Sequence, residues 1–204
     1  REVGYFQTGT YGPASDPVLQ AVHEAMEAEA HHGPATPAGR ASHIEKEIRA
    51  RADLARLLNV KDEELAITTN TSQAMQQVIR AIKWQPGDEF LMTNLEHVST
   101  YGVSHELEQE YGVNVKVIPG DEGDDALLES LTAAVTDRTK LVCLSHISSP
   151  DGRLLPIKDA TKIAHDWGVP VVLDVAQTVG QIPVDLADFG CDFVVGSGHK
   201  WLLG

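Results

Sequence analysis

Two kinds of hydrophobic pattern alternate along this chain. Short apolar runs rich in β-branched residues occupy residues 89–92, 113–118, 140–144, 171–174 and 194–195. A run of this length bounded by polar or turn residues predicts a strand buried on both faces. Residues 65–68 predict a further short strand, and Val3-Gly4-Tyr5-Phe6 a short extended piece ahead of a glycine-rich turn. Between the runs, apolar residues recur every three to four positions. Asp16 suits a helix N-cap and Pro17 the first helical position, followed by Val18, Ala21, Val22, Ala25 and Met26 on one face. Ser42 and Glu45 have capping-box spacing and open a second helix, with Ile44, Ile48, Ala52, Ala55 and Leu58 as its stripe, ending near Asn59. A polar loop over 69–72 leads into a helix carrying Ala74, Met75, Val78, Ile79 and Ile82. Further helices are predicted over 101–111, around Leu127, Leu128, Leu131 and Val135, and over 156–167, the last ended by Gly168. Strands alternating with helices predict an α/β fold with a mainly parallel sheet flanked by helices.

Composition narrows the function classes. With 16 Lys and Arg against 30 Asp and Glu, the 204 residues carry a formal charge of −14, which repels phosphate backbones and anionic lipid, although a salt-rich cytoplasm also favours an acidic surface. Nucleic acid and membrane are therefore not expected partners. No apolar stretch approaches the roughly 18 residues of a membrane span and no signal-like start is present, so a cytoplasmic protein is expected. Cys143 and Cys191 stand alone, without CxxC spacing or a basic neighbour, and read as core thiols. His31, His32 and His43 show no repeated spacing with carboxylates, and no metal is expected. Arg40 and Arg153 read as surface charge. The chain opens at Arg1 without a Met and closes at Gly204 just after its richest polar cluster, and so reads as a piece of a longer protein.

That cluster holds the chemistry. Asp174 ends Val171-Val172-Leu173, with Gln177 three residues on, and Ser197, His199 and Lys200 follow Val194-Val195. Ligands in open α/β sheets gather at strand carboxyl ends. A lysine directly after an apolar strand suits a Schiff base, with a surface lysine as the alternative. Asp174 is a candidate for charge pairing, for capping or for Mg²⁺. Asn70-Thr71-Ser72 precedes a helix, where backbone N–H groups and hydroxyls can hold a phosphate or simply cap the helix. Neither a Walker sequence nor GxGxxG is present. A lysine, a strand-end aspartate 26 residues before it (200 − 174 = 26) and an upstream anion site together suit pyridoxal phosphate.

On Ser197-Gly198-His199-Lys200, Asp174-Val175-Ala176-Gln177, Glu96-His97 and Thr68-Thr69-Asn70-Thr71-Ser72-Gln73, the chain resembles the class V aminotransferase family of pyridoxal-phosphate enzymes. The family includes cysteine desulfurases, carbon–sulfur lyases, selenocysteine lyases and isopenicillin N epimerase-like proteins. The resemblance implies the large domain of fold type I, with the C-terminal small domain missing from this chain. Residues 1–40 would then contribute to the small domain or an interface, and 41–204 to the coenzyme-binding domain. It implies that Lys200 forms the internal aldimine and shuttles protons, and that Asp174 pairs with the pyridinium nitrogen. His97 would stack on one ring face and Ala176 on the other. Gln177 would bond the phenolic oxygen, and Thr71, Ser72, Ser197 and His199 would hold the phosphate. Where desulfurases carry a supporting Asn, this chain has Ser148 or Ser149.

The resemblance further implies a homodimer acting on a small amino-acid substrate, with the reactive cysteine and the carboxylate-binding arginine beyond residue 204. Desulfurase-like removal of sulfur from cysteine is the leading reading. Aminotransferase, carbon–sulfur lyase and epimerase chemistry are the alternatives, and a cofactor-free scaffold remnant is the non-enzymatic one.

Overall fold

A computed structural model of the chain describes residues 4–204, so Val3 of the expected first extended piece lies outside the described residues. Contacts divide the chain into two compact units. Among the described residues, one comprises residues 4–67 with 198–204, the other residues 68–197.

Two packed helices dominate the first unit. Helix α1, Asp16–His32, begins one residue before the expected Pro17, with Ser15 rather than Asp16 at the N-cap position, and stops at Gly33, whose φ of 75° lies in the region that favours glycine. Helix α2, Pro37–Leu58, starts five residues before the expected Ser42. Thr36 is its cap, accepting from the Gly39 N–H, and Pro37 takes the first helical position. The capping box at Ser42 and Glu45 is overridden because the Thr36-Pro37 pair begins the same helix more than one turn earlier. After a 3-10 turn at Asp62–Glu64, residues 65–68 run extended without a strand partner among the described residues, so the expected strand does not form. Ile67, half exposed at 50%, buries too little to enforce one.

The second unit is a parallel sheet between helices. Its strands are β1 Glu89–Thr93, β2 Asn114–Ile118, β3 Thr139–Ser145, β4 Val171–Asp174 and β5 Phe193–Val195. All neighbours pair in parallel, in the order β2-β1-β3-β4-β5. The helices are α3 Thr71–Ala81, α4 Val98–Tyr111, α5 Asp124–Ala134, α6 Ile157–Asp166 and α7 Leu186–Phe189. Helix α4 begins three residues before the expected Tyr101, because His97 caps it. The short α7 was not foreseen, since four residues are too few to show a period. No helix among the described residues is long and apolar enough to cross a membrane.

One face of the sheet supplies the core that carries the site. Phe90 and Met92 of β1, Leu141 and Cys143 of β3, Val172 of β4 and Val195 of β5 pack with Met75 and Ile79 of α3 and Val103 and Leu107 of α4. Trp84 closes this cluster edge-on to Phe90, its indole N–H donating to the Ile79 carbonyl at 2.8 Å. Phe90 is fully buried, so Phe90→Ala is expected to lower the unfolding free energy by about 3–5 kcal/mol in denaturant titrations. Truncation of the half-exposed Val117 to Ala on the edge strand β2 should cost less than about 1 kcal/mol.

Candidate active site

The strand order reverses direction at β1: the chain passes from β1 outward to β2, then back across β1 to β3, β4 and β5. Connections leaving β1 and β3 therefore diverge, opening a crevice at the strand carboxyl ends. Side chains alternate across a strand, so the face that buries Leu141 and Cys143 also carries Ser145, and the face of Val172 carries Asp174. Register places Ser145 beside Asp174 and Asp174 beside Val195. The apolar layer under α3 and α4 thus ends in a polar row at the mouth of the crevice.

Glu96, three residues past β1, anchors that row. Its carboxylate accepts from Thr93 Oγ1 at 2.7 Å and from the Ser145 N–H at 3.0 Å through one oxygen, and contacts Ser145 Oγ at 2.7 Å through the other. All these partners are neutral. Only 6% of Glu96 is exposed, and burial pushes its carboxyl up to about 7, helped by the charge of Asp174 and partly offset by Thr93 and Ser145. In the sequence, Glu96 stands beside His97 with no task assigned to it, and Ser145 goes unmarked. The available signal was a carboxylate just past a strand end, the same placement that singles out Asp174.

Asp174 is 8% exposed, and its Oδ1 accepts from the Ala176 N–H at 2.8 Å. Ala176 is buried at the turn that follows. Gln177 Nε2 donates to Ser149 Oγ at 3.3 Å, so of the two serines considered in that loop, Ser149 is the one beside Gln177. Asn70, rather than Thr71 or Ser72, caps α3, its side chain accepting from the Gln73 N–H at 2.8 Å. The Gln73 side chain returns to the Thr69 N–H at 2.9 Å. Capping by Asn70 leaves the hydroxyls of Thr71 and Ser72 out of the cap, at a helix start whose first N–H groups have no intrahelical acceptor.

Helix α3 packs against β4 and β5. Thr71 Oγ1, and Ser197 Oγ two residues past β5, are buried hydroxyls without a protein partner. Burying such a group unpaired is costly, so both fit a ligand bearing acceptor oxygens. His97 is exposed; its Nδ1 accepts from the Ser99 N–H at 3.2 Å and contacts Ser99 Oγ at 2.8 Å, which fixes the ring and leaves Nε2 to carry the proton of the neutral form.

His199 and Lys200 belong to the first unit, where both are partly buried. The His199 ring lies 5.2 Å from Tyr11, and its carbonyl accepts from the Gly12 N–H at 2.7 Å. A Cβ at Gly12 would come within 2.0 Å of the Lys200 carbonyl oxygen, so only glycine fits there. Tyr5 donates to the Tyr11 carbonyl at 2.7 Å, which ties the N-terminal turn that backs this loop.

The raised carboxyl of Glu96 makes stability depend on pH. Ordinarily near 4.5, it ionises in the unfolded chain before it does so in the folded one, so its contribution to stability falls between about pH 4.5 and about pH 7 and is level above that. Glu96→Gln keeps the hydrogen-bonding shape and removes the titration. Relative to wild type, the variant should gain about 1–3 kcal/mol of unfolding free energy between pH 4.5 and 8, read from denaturant midpoints along the series.

Residues 10–204 match the aminotransferase class-V family. Over 155 residues the chain is 36% identical to a probable cysteine desulfurase of Methanothermobacter thermautotrophicus, covering 76% of this chain and 38% of that protein. Over 160 residues it is 30% identical to the isopenicillin N epimerase of Streptomyces clavuligerus, covering 76% of this chain and 40% of the relative. Its fold is similar to that of a cystine C–S lyase solved with its reaction product cysteine persulfide, with a TM-score of 0.92, 27% identity, and coverage of 98% of this chain and 54% of the other. The chain therefore spans between about two fifths and one half of these proteins. By the match over nearly its whole length, it belongs to the aminotransferase class-V family.

Proposed function

We propose that this chain is the coenzyme-binding part of a pyridoxal-phosphate-dependent enzyme acting on an amino acid, with desulfurase-like removal of sulfur from cysteine as its reaction. The observation that carries the reading is the pair of buried, partnerless hydroxyls, Thr71 Oγ1 and Ser197 Oγ, in a unit where α3 packs on the strand that ends in Asp174. A phosphate answers the hydroxyls and the helix start. A protonated ring nitrogen answers the buried carboxylate of Asp174. Membership of the family and similarity to a probable cysteine desulfurase support the same assignment.

In this reading Thr71, Ser72, Ser197 and His199 hold the phosphate. Asp174 keeps the ring nitrogen's proton in place, its orientation fixed by the Ala176 N–H. Gln177 donates toward the phenolic oxygen, supported by Ser149, and Ala176 and His97 cover the two ring faces. Lys200 would hold the coenzyme and would move the proton at the substrate α-carbon. When bound, the coenzyme supplies an electron sink for the negative charge developing at that carbon. Residues 41–204 are assigned to the coenzyme-binding domain and 1–40 to the small domain or an interface, in a cytoplasmic homodimer. A carbon–sulfur lyase is the second reading, favoured by the similarity in fold to the cystine lyase.

Full-length protein mixed with pyridoxal phosphate should develop a visible absorption band that Lys200→Ala lacks; no lysine-dependent band would remove the coenzyme reading. With cysteine as substrate, alanine is the product expected of a desulfurase and pyruvate that of a lyase. Thr71→Ala and Ser197→Ala should each weaken coenzyme binding roughly tenfold, the scale of one hydrogen bond to a charged group, as read by equilibrium titration.

A further inference from the structure

Glu96 has no task in the assignment above, yet it is a buried carboxyl group at the crevice. Its carboxyl meets Thr93 Oγ1, the Ser145 N–H and Ser145 Oγ, and it forms no ion pair among the described residues. Ser145 lies directly beside Asp174 in the β3–β4 register. The ionisable groups facing Glu96 are Asp174 from β4, Cys143 from β3, with its Sγ at 3.9 Å, and Tyr101 from α4. None of these groups carries positive charge. Two carboxyl groups therefore share one buried row, an arrangement that disfavours ionisation of both together.

On the coenzyme reading, we propose that Glu96 is a proton-linked positioning residue. It holds a proton while Asp174 carries the row's negative charge, and releases that proton to solvent when a protonated pyridine ring pairs with Asp174. The step balances as one carboxylic acid giving one carboxylate and one proton, with no other bond made or broken. Once ionised, Glu96 places a second negative charge behind the ring nitrogen and strengthens the hold on its proton. The electrostatics agree: burial and the Asp174 charge both push the Glu96 carboxyl upward, and a cation on Asp174 cancels the second of these. Binding and ionisation of Glu96 then favour one another, which is reciprocal linkage between two sites.

Glu96→Gln is the decisive variant. Its amide oxygen can accept from Thr93 and the Ser145 N–H, and its nitrogen can donate to Ser145 Oγ, so it preserves the network while holding one charge state. Dissociation constants for pyridoxal phosphate are measured by fluorescence titration of the full-length protein between pH 5.5 and 8.5. The ratio of wild-type to variant affinity should rise about tenfold with pH, mostly below pH 7.5, the factor expected when binding lowers the pKa of the linked carboxyl by about one. A purely structural Glu96 gives parallel profiles, which would overturn this proposal and leave the coenzyme reading intact. Absence of wild-type binding at every pH would overturn both. Infrared difference spectra of wild-type protein labelled with ¹³C-glutamate give an independent readout. At pH 6, addition of pyridoxal phosphate should bleach a protonated-carboxyl band, and a band that stays unchanged contradicts the proposal.

Discussion

A parallel sheet covered on both faces admits polar side chains only where its strands run out. In this chain that constraint determines where chemistry is possible. Beneath α3 and α4 the strands present Phe90, Met92, Leu141, Cys143 and Val172, and polar groups enter at Ser145, Asp174 and Glu96 as the strands end. The row stays fixed because the core below it is packed and because register locks Ser145 beside Asp174. The same packing brings α3 onto β4 and β5, so that the helix start and the strand-end aspartate belong to one body.

The two buried glutamates near the ends of β1 show how neighbours decide the state of a charge. Glu89, at the start of the strand, is pushed up by burial, but Lys116 at 2.8 Å and the hydroxyls of Thr136 and Thr139 outweigh that and hold it below the usual range. Glu96, past the other end, has only neutral donors and a second carboxylate nearby, and its carboxyl rises to about 7. The first arrangement stabilises the sheet by compensation within the chain. The second leaves two carboxyl groups in one buried row, and the proposed pairing of a protonated ring with Asp174 draws on that arrangement.

Long periodic segments and the strand-end residues were legible in the sequence because they are set by local pattern and burial. The five parallel strands, the longer helices between them and the positions of Asp174 and Gln177 follow from that alone. Element starts were less legible. Thr36 with Pro37, and His97 with Ser99, cap α2 and α4 earlier than the apolar stripes indicate, since caps depend on one or two hydrogen bonds rather than on a period. Residues 65–68 have a strand's composition but no partner among the described residues, and pairing is not a property of the segment itself. The roles of Glu96, Ser145 and Ser149 depend on contacts between residues 28 to 49 positions apart, which no local pattern carries.

The central claim is that a phosphate sits at the start of α3 while a ring nitrogen sits against Asp174. A crystal structure of the full-length protein with pyridoxal phosphate tests it most directly. The account predicts phosphate oxygens within hydrogen-bonding distance of Thr71 Oγ1 and Ser197 Oγ, the ring nitrogen on the Asp174 carboxylate, and density continuous from the coenzyme to Lys200 Nζ. A coenzyme bound with its phosphate away from α3, or with its nitrogen away from Asp174, would contradict it.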